Sequence, residues 1–553
     1  MTAWSEYSIT GAEDTLWDVI VVGAGLGGSI AGWSLARHGL KVLFLERGGA
    51  TNAYKVPPRR GAWRRLVRAN DSPEQRAATG LWPDPLRIIS KGVGRDFLPP
   101  IGFGPGGSSA VYGAALERLR RIDFAPTPSE QRGPEALSDG WPLDYDAFAK
   151  WYAAAEELMT VAGTPDPGDS DDLSQLRCAP CLSARDEFLF RAFEMSGLQP
   201  YRLHVGIAYR PGCTECLGGL CPRACKADGA SRALSPALTR HGAKLVLQCA
   251  VDRLDITGNR IAQVRSQTRA YRARLVVLAA GALTSPNILR RSVSERWPQG
   301  IGNDHDLVGR GLMFHVSDFF VLRATGNHSP LGPAKTLASR AFYDVDGVRY
   351  GSFQSIGRRM AIGNVYQYLV ERWQHTLPRV IPPPRLLLLA AAAAGRQIVG
   401  DAPLFATIVE DFPYRFNQVV PDASAPSGFV IRYEKPRELE ARAAGMRSKI
   451  RTSLSTLQPW FLSGDQNLNF GHPLGTCRFG TAAETSVLTP DNRVRGIDNL
   501  FVVDGSFFPS SGGANPGLTI AANALRVSDQ IAREFAAGRF AAGNAMPPAA
   551  DQS

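Results

Sequence analysis

Two groups of residues in this chain have types and spacings that could do chemistry. Gly23, Gly25 and Gly28 fit G-x-G-x-x-G, and Glu46 follows where an acid would hold a ribose hydroxyl pair. In such a turn the first glycine allows a tight bend. The second lets the backbone approach a pyrophosphate, and the third lets helix and strand pack closely. The expected ligand is a dinucleotide containing ADP. The second group is thiols: Cys213-x2-Cys216-x4-Cys221-x3-Cys225, with Cys178 and Cys181 upstream. Thiolates so spaced can hold an iron–sulfur cluster or zinc; the remaining reading is paired or free structural thiols. Cys249 and Cys477 read as buried and inert. None of the eight histidines has metal-ligand spacing.

The elements that must position these groups follow from local pattern. Val19 to Val22 is a short apolar run suited to a buried parallel strand. The helix expected from about Leu26 to His38 aims its first amides at the phosphates, and Gly39 stops it. Lys41 to Leu45 then supplies a second strand. Further on, Lys244 to Val251 reads as a strand, Gly258-Asn259 as a hairpin turn, and Leu275 to Gly281 as another apolar strand ending in small residues. Asn499 to Asp504 repeats that pattern, and Leu518 to about Ala537 is helical. A nucleotide-binding domain is thus split along the chain. Around Phe319 to Arg323 and Val348 to Phe353 apolar and polar positions alternate, and the sequence then becomes helical and Pro-broken. That predicts an antiparallel sheet with helices, inserted as a second domain.

Composition sets bounds. A chain of 553 residues has room for two or more cores, and 44% hydrophobic with 20% charged residues suits a globular enzyme. The net charge of +11 is spread, without a long basic block, which argues against nucleic acid. It suits a solvated surface, or a face for an acidic electron acceptor or an anionic membrane. Met1 to Thr15 is polar and acidic and carries no secretory pattern, so a cytoplasmic location is expected; the alternatives are peripheral membrane contact or export with a signal-bearing partner. The Leu386 to Gly395 run is too short to span a bilayer. It reads as a buried helix, or as a patch on a membrane or over a substrate mouth. Ile381 to Pro384 marks a loop entering it.

Near the C-terminus stand Phe470-Gly-His472-Pro-Leu-Gly-Thr-Cys-Arg-Phe-Gly480, Val502-Val-Asp504-Gly505-Ser506 and Gly512-Gly-Ala-Asn515-Pro516-Gly-Leu-Thr519. With these motifs the chain resembles the glucose–methanol–choline (GMC) oxidoreductases, flavoproteins that oxidise alcohols. The resemblance takes in Gly106-Gly107-Ser108-Ser109, Ala279 to Pro286 and Leu307 to His315, and so covers nearly the whole chain. It implies an α/β fold: an FAD-binding Rossmann-like domain with an inserted α+β substrate domain built on an antiparallel sheet. The FAD-binding domain is expected over 1–160, 231–311 and 466–537. A Cys-rich segment with part of the substrate domain falls at 161–230, the substrate domain at 312–465, and a loose tail at 538–553.

The resemblance makes His472 and Asn515 the catalytic pair. A neutral imidazole can take the hydroxyl proton, and a carboxamide can orient the oxygen without adding charge. For FAD it implies Gly23, Gly25 and Gly28 at the pyrophosphate, Glu46 at the adenosine ribose, and Val251 at the adenine. Gly106, Gly107, Ser108 and Ser109 run beside the ribityl chain and ring, and Ala280 and Gly281 by the ADP portion. Asp504 and Gly505 approach the ribityl or phosphate, and Asn515 and Pro516 the pyrimidine edge. No histidine lies near Ser108-Ser109, so non-covalent FAD is expected. His315 reads as structural. The Cys216-x4-Cys221-x3-Cys225 portion resembles the glucose and fructose dehydrogenase branch, some members of which carry a three-iron cluster; the added Cys213 and the Cys178/Cys181 pair depart from it. The expected function is oxidation of an alcohol, with a sugar or glycoside ahead of a sterol or long-chain alcohol. Electrons pass to an external acceptor, with an oxidase as the alternative. A flavin-bearing subunit docked on a partner protein is the alternative of another class.

Overall fold

The computed structural model describes residues 4–51, 72–169, 171, 173–213, 215–323, 329, 331–359, 369, 373, 384–399, 402–462 and 467–540. Three sheets organise them. The first is built on β1 (Leu16–Val22), which pairs in parallel with β2 (Val42–Leu45) on one side and with Ala270–Leu278 on the other. Lys244–Val246 extends it beyond β2, and Leu500–Val502 pairs in parallel with Ala270–Leu278. Four consecutive buried residues of β1, Val19 to Val22, meet the requirement of a strand covered on both faces. The helix α1 (Leu26–Arg37) returns over this sheet and packs on the C-terminal helix Gly517–Ala536. Gly27 permits that approach, since a Cβ there would stand 2.2 Å from Val503 O.

The second sheet has eight strands and is antiparallel throughout. Its centre is Pro403–Val409, all of it buried, flanked by Gly351–Arg359 and Phe319–Val321. Met313–Ser317 pairs with both Pro403–Val409 and Asn467–Leu474, so one strand ties the sheet to the segment that carries His472. Phe193, Phe320, Phe353 and Phe405 pack into its own core. The third sheet joins Leu86–Ser90 in parallel to Phe429–Arg432. Nothing in the sequence pattern foretold that pairing, because its partners lie far apart in the chain.

Two expectations are modified. Lys244 to Val251 is not one strand: pairing stops at Val246, and a second strand runs Val251–Thr257. Between them Gln248 takes φ 54°. There Gln248 N–H donates to Gly48 O and Cys249 N–H to Glu46 O. Backbone pairing with the end of β2 overrides the local strand preference. The Leu386 to Gly395 run lies within the helix Arg385–Val399, which mixes both readings: Leu388 and Ala392 are buried, while Leu386 is 82% and Leu387 66% exposed. The proline segment before it lies outside the described residues except Pro384. No helix among the described residues is long and apolar enough to cross a membrane.

Candidate active site

A cavity of about 550 Å³ opens at the C-terminal ends of the parallel strands and runs to the antiparallel sheet. His472 and Asn515, 43 positions apart in the chain by their numbers, both line it. His472 comes from the strand Asn467–Leu474, and Asn515 from the turn that enters the helix Gly517–Ala536. Asn515 Oδ1 is buried with no hydrogen-bond partner in the protein, an acceptor waiting for a donor.

The state of the imidazole follows from its neighbours. His315 Nε2 lies 2.9 Å from Gly512 O, and a carbonyl only accepts, so this nitrogen carries a proton. Burial lowers the His315 pKa to about 4, leaving the ring neutral. Its Nδ1 is then an acceptor, 3.0 Å from His472 Nδ1. His472 Nδ1 must donate, and His472 Nε2 keeps a lone pair. Burial also holds the His472 pKa well below the usual value, with the positive charge of Lys335 and the neighbouring His315 acting in the same sense. Asn469 Oδ1 accepts from Gly471 N–H at 3.1 Å, and its Nδ2, itself a donor, lies 3.4 Å from His472 Nδ1 and makes no hydrogen bond to that nitrogen in this tautomer. The result is a neutral base with its proton-accepting nitrogen defined by a carbonyl two rings away.

The other end of the cavity has the features of a dinucleotide cradle. Gly23 and Gly28 are tight: a Cβ would meet Ala279 O at 2.5 Å and Gly23 O at 2.1 Å respectively. Gly25 is open, with nothing within 4 Å of a Cβ, and α1 begins there without a side-chain cap. The same holds at Gly281. Glu46 is buried and raised in pKa by burial, although its oxygens accept from Ala24 N–H at 2.8 Å and Gly48 N–H at 2.7 Å. Gly104 N–H is a third backbone donor, which leaves one acceptor position of the carboxylate for a further donor. Val251, Ala280 and Gly505 also line the cavity. So do Gly107, Ser108 and Pro516, whereas Gly106 stands behind the wall, its N–H donating to Ala24 O. The helix Gly517–Ala536 also starts at the cavity without a side-chain cap. Two uncapped helix starts, an open glycine and an unpartnered carboxamide oxygen together fit a bound dinucleotide.

Asp504 and Ser109 also line the cavity, with their side-chain oxygens engaged by the protein. Asp504 Oδ2 accepts from Gly281 N–H at 2.9 Å and Ser285 Oγ at 2.5 Å; Oδ1 accepts from Ser506 N–H at 2.9 Å and Ser506 Oγ at 2.5 Å. All four acceptor positions of the carboxylate are taken, so it holds the two turns rather than presenting a lone pair. Ser109 Oγ donates to Gly106 O at 2.6 Å and accepts from Gly229 N–H at 3.0 Å, which makes it a brace for the glycine loop.

Residues 18–317 match the N-terminal family model for GMC oxidoreductases, and residues 435–524 match the C-terminal one. The chain belongs to the GMC oxidoreductase family. Among curated relatives, a 6'''-hydroxyparomomycin C oxidase of Streptomyces lividus is 28% identical, over 96% of this chain and 94% of the relative. The fructose dehydrogenase large subunit of Gluconobacter japonicus is 22% identical, over 94% of this chain and 98% of the relative. Among solved structures, a formate oxidase of Aspergillus oryzae shares the fold with TM-score 0.62 at 15% identity, covering 96% of this chain and 100% of that one.

In this GMC oxidoreductase all eight cysteines carry free thiols. The side chains of the candidate iron–sulfur ligands Cys213, Cys216, Cys221 and Cys225 are hydrogen-bonded two by two, Cys221 with Cys216 and Cys213 with Cys225. Among the described residues no group of three or more His, Cys, Asp or Glu is placed to hold a metal ion. Cys225 N–H donates to Cys221 Sγ at 3.2 Å, and the bond from Cys216 leads the causes that lower the Cys221 pKa to about 4. The hairpin's work in the fold is visible elsewhere. Leu217 and Gly218 line the cavity, and Glu215 accepts from the backbone of Ala334 and Lys335. No sequence motif marks Lys335, Ser317 or Asn469 as lining the site. His315 was visible only as the end of a motif.

Proposed function

We propose that this enzyme oxidises a CH–OH group to a carbonyl, with His472 Nε2 accepting the hydroxyl proton and Asn515 holding the oxygen. FAD, when bound, takes the hydride; its ADP portion would lie against Gly25, Glu46 and Gly281, and its ring between Gly107–Ser108 and Asn515–Pro516. The single observation that carries the reading is the hydrogen-bond chain Gly512 O, His315, His472, which leaves one imidazole nitrogen basic and facing a carboxamide-lined cavity. Holding the alcohol between that nitrogen and the carboxamide replaces a bimolecular encounter by a positioned one. The walls from the antiparallel sheet combine Ser317 and Gln354 with Phe319 and Ile408, a mixture suited to a polyol such as a sugar or glycoside.

An external acceptor receives the electrons in this reading. The large-subunit name of the fructose dehydrogenase relative, together with the basic charge of this chain, supports an acidic partner protein as acceptor. His472→Ala tests the assignment: FAD stays bound, and anaerobic flavin reduction by alcohol slows by roughly 10²- to 10⁴-fold. Reduction at the native rate would refute it. Reoxidation of the reduced enzyme in air, followed by stopped flow, separates the acceptors: slow return of flavin absorbance is expected, and rapid peroxide formation would favour an oxidase.

A further inference from the structure

Lys335 is 5% exposed, yet it lines the same cavity as His472. Its Nζ donates to Gly113 O at 2.6 Å. The packing is built around this ammonium: a Cβ on Gly113 would stand 2.4 Å from Nζ and 3.0 Å from Leu217 Cδ1. No carboxylate forms an ion pair with Lys335 among the described residues. Glu215, whose charge acts on Lys335, accepts at Oε1 from the Ala334 and Lys335 amides at 2.7 and 3.0 Å and is also hydrogen-bonded to the Tyr209 hydroxyl. Lys226, on the far side, is held by the carbonyls of Tyr112, Cys216 and Gly219. Among the described lining residues the acids are Glu46 and Asp504, both in the dinucleotide cradle with their oxygens engaged by backbone and hydroxyl donors. A second polar group on the cavity wall is unpartnered: Ser317 Oγ is buried and has no hydrogen-bond partner.

A desolvated ammonium with no carboxylate in ion-pair contact is costly unless the ligand supplies one. We infer that the alcohol oxidised at His472 also bears a carboxylate, with Lys335 as its counter-ion, so that the substrate class is a polyhydroxylated carboxylic acid of the sugar-acid type. This rests on the alcohol-oxidation reading above. A single point charge matches a carboxylate better than a phosphate, which is usually met by several donors or a guanidinium fork. Arg47, the other cation on the wall, lies in the cradle with its guanidinium 4.1 Å over Trp82. The free hydroxyl of Ser317 suits the remaining hydroxyls of such a compound. An amino sugar would place ammonium against ammonium. Burial lowers the Lys335 pKa to about 8, with Lys226 adding to the shift and Glu215 and Glu117 opposing it. Its charge therefore fades just above neutral pH, while His472 is already neutral and the nearby Tyr112 and Tyr209 hydroxyls, raised by burial, stay protonated.

The test uses the FAD-loaded enzyme and matched six-carbon series: sugar acids, the corresponding sugar alcohols, and the corresponding amino sugars. In anaerobic stopped flow at neutral pH the best acid is expected to reduce the flavin about tenfold or more faster, per unit concentration, than its alcohol partner. That preference falls as pH rises through 8, and it collapses toward unity in Lys335→Met. Acetate, a probe that cannot be oxidised, is expected to bind wild type by calorimetry and to bind Lys335→Met about tenfold more weakly. A preference for the neutral or amino compound, or an acid preference that survives Lys335→Met, overturns the inference while the alcohol-oxidation reading stands. Flavin that no compound in the series reduces overturns both. Should Lys335→Met not fold, the wild-type pH profile decides: an acid preference that does not decline through pH 8 overturns the inference.

Discussion

At the scale of single residues, function here depends on which nitrogen carries a proton. His315 acts through His472. It is expected to behave as a positioning residue, because its Nδ1 selects the His472 tautomer from 3.0 Å. His315→Ala leaves the His472 Nδ1–H without an acceptor and lets the other tautomer form. Flavin reduction is expected to fall roughly 10- to 100-fold, with part of the rate restored by added imidazole and with KM less affected than kcat. A purely structural role would give neither the rescue nor the split. Lys335 has a stability signature of its own. Its folded pKa of about 8 lies below the ordinary 10.5, so between those values the unfolded chain holds a proton that the folded chain lacks. Stability on its account rises with pH across that window, by about 3 kcal/mol. Urea titrations at about pH 7.5 and about pH 10 are expected to show this rise flattened in Lys335→Met.

At the scale of elements, the glycines of the first turn have separable tasks. Gly28 lets α1 lie on the end of β1, while Gly25 faces open space in the cavity. Gly28→Ala is expected to cost about 1–3 kcal/mol of stability, because its Cβ meets backbone that cannot withdraw. Gly25→Ala is expected to keep the fold of the FAD-free protein, since φ −72° suits alanine, and to bind FAD more weakly through loss of the close approach. Thermal unfolding of the stripped proteins and flavin content of the loaded ones distinguish the two. The β1–α1–β2 unit was legible because its period, its glycines and its acid all agree locally. The strand break at Gln248 was not, since its cause is pairing with Glu46 and Gly48 about two hundred positions away.

At the scale of the whole molecule, two adjacent side chains join the sheets. Glu117 accepts from Tyr201 OH at 3.0 Å and from Arg340 Nη2 at 2.7 Å on the antiparallel side. Arg118 turns the other way and makes a two-fold bond to Glu156, at 2.8 and 2.7 Å, on the helix Tyr145–Leu158. Arg118 and Glu156 are 6% and 0% exposed, and removing Glu156 leaves the buried guanidinium only the longer contact to Asp171 Oδ2 at 3.4 Å. Glu156→Ala is expected to cost about 3–5 kcal/mol in chemical denaturation, although it touches neither His472 nor the cradle. The exposed Leu386 and Leu387 lie at the start of a helix whose other face packs on Val321 and Leu404.

Short-range pattern was enough for the dinucleotide turn, for the strands whose apolar runs are continuous, and for the His472 and Asn515 motifs, because those signals sit within a few residues of one another. Burial, tautomer and counter-ion belong to the tertiary structure. Whether four cysteines form a tetrad or two pairs depends on how a hairpin closes; their spacing is compatible with either. Asp504 stood in a motif, yet only the fold showed its lone pairs spent on two turns. Lys335 carried no local mark at all: a lysine becomes a recognition group when distant strands remove its water and leave its charge facing a cavity.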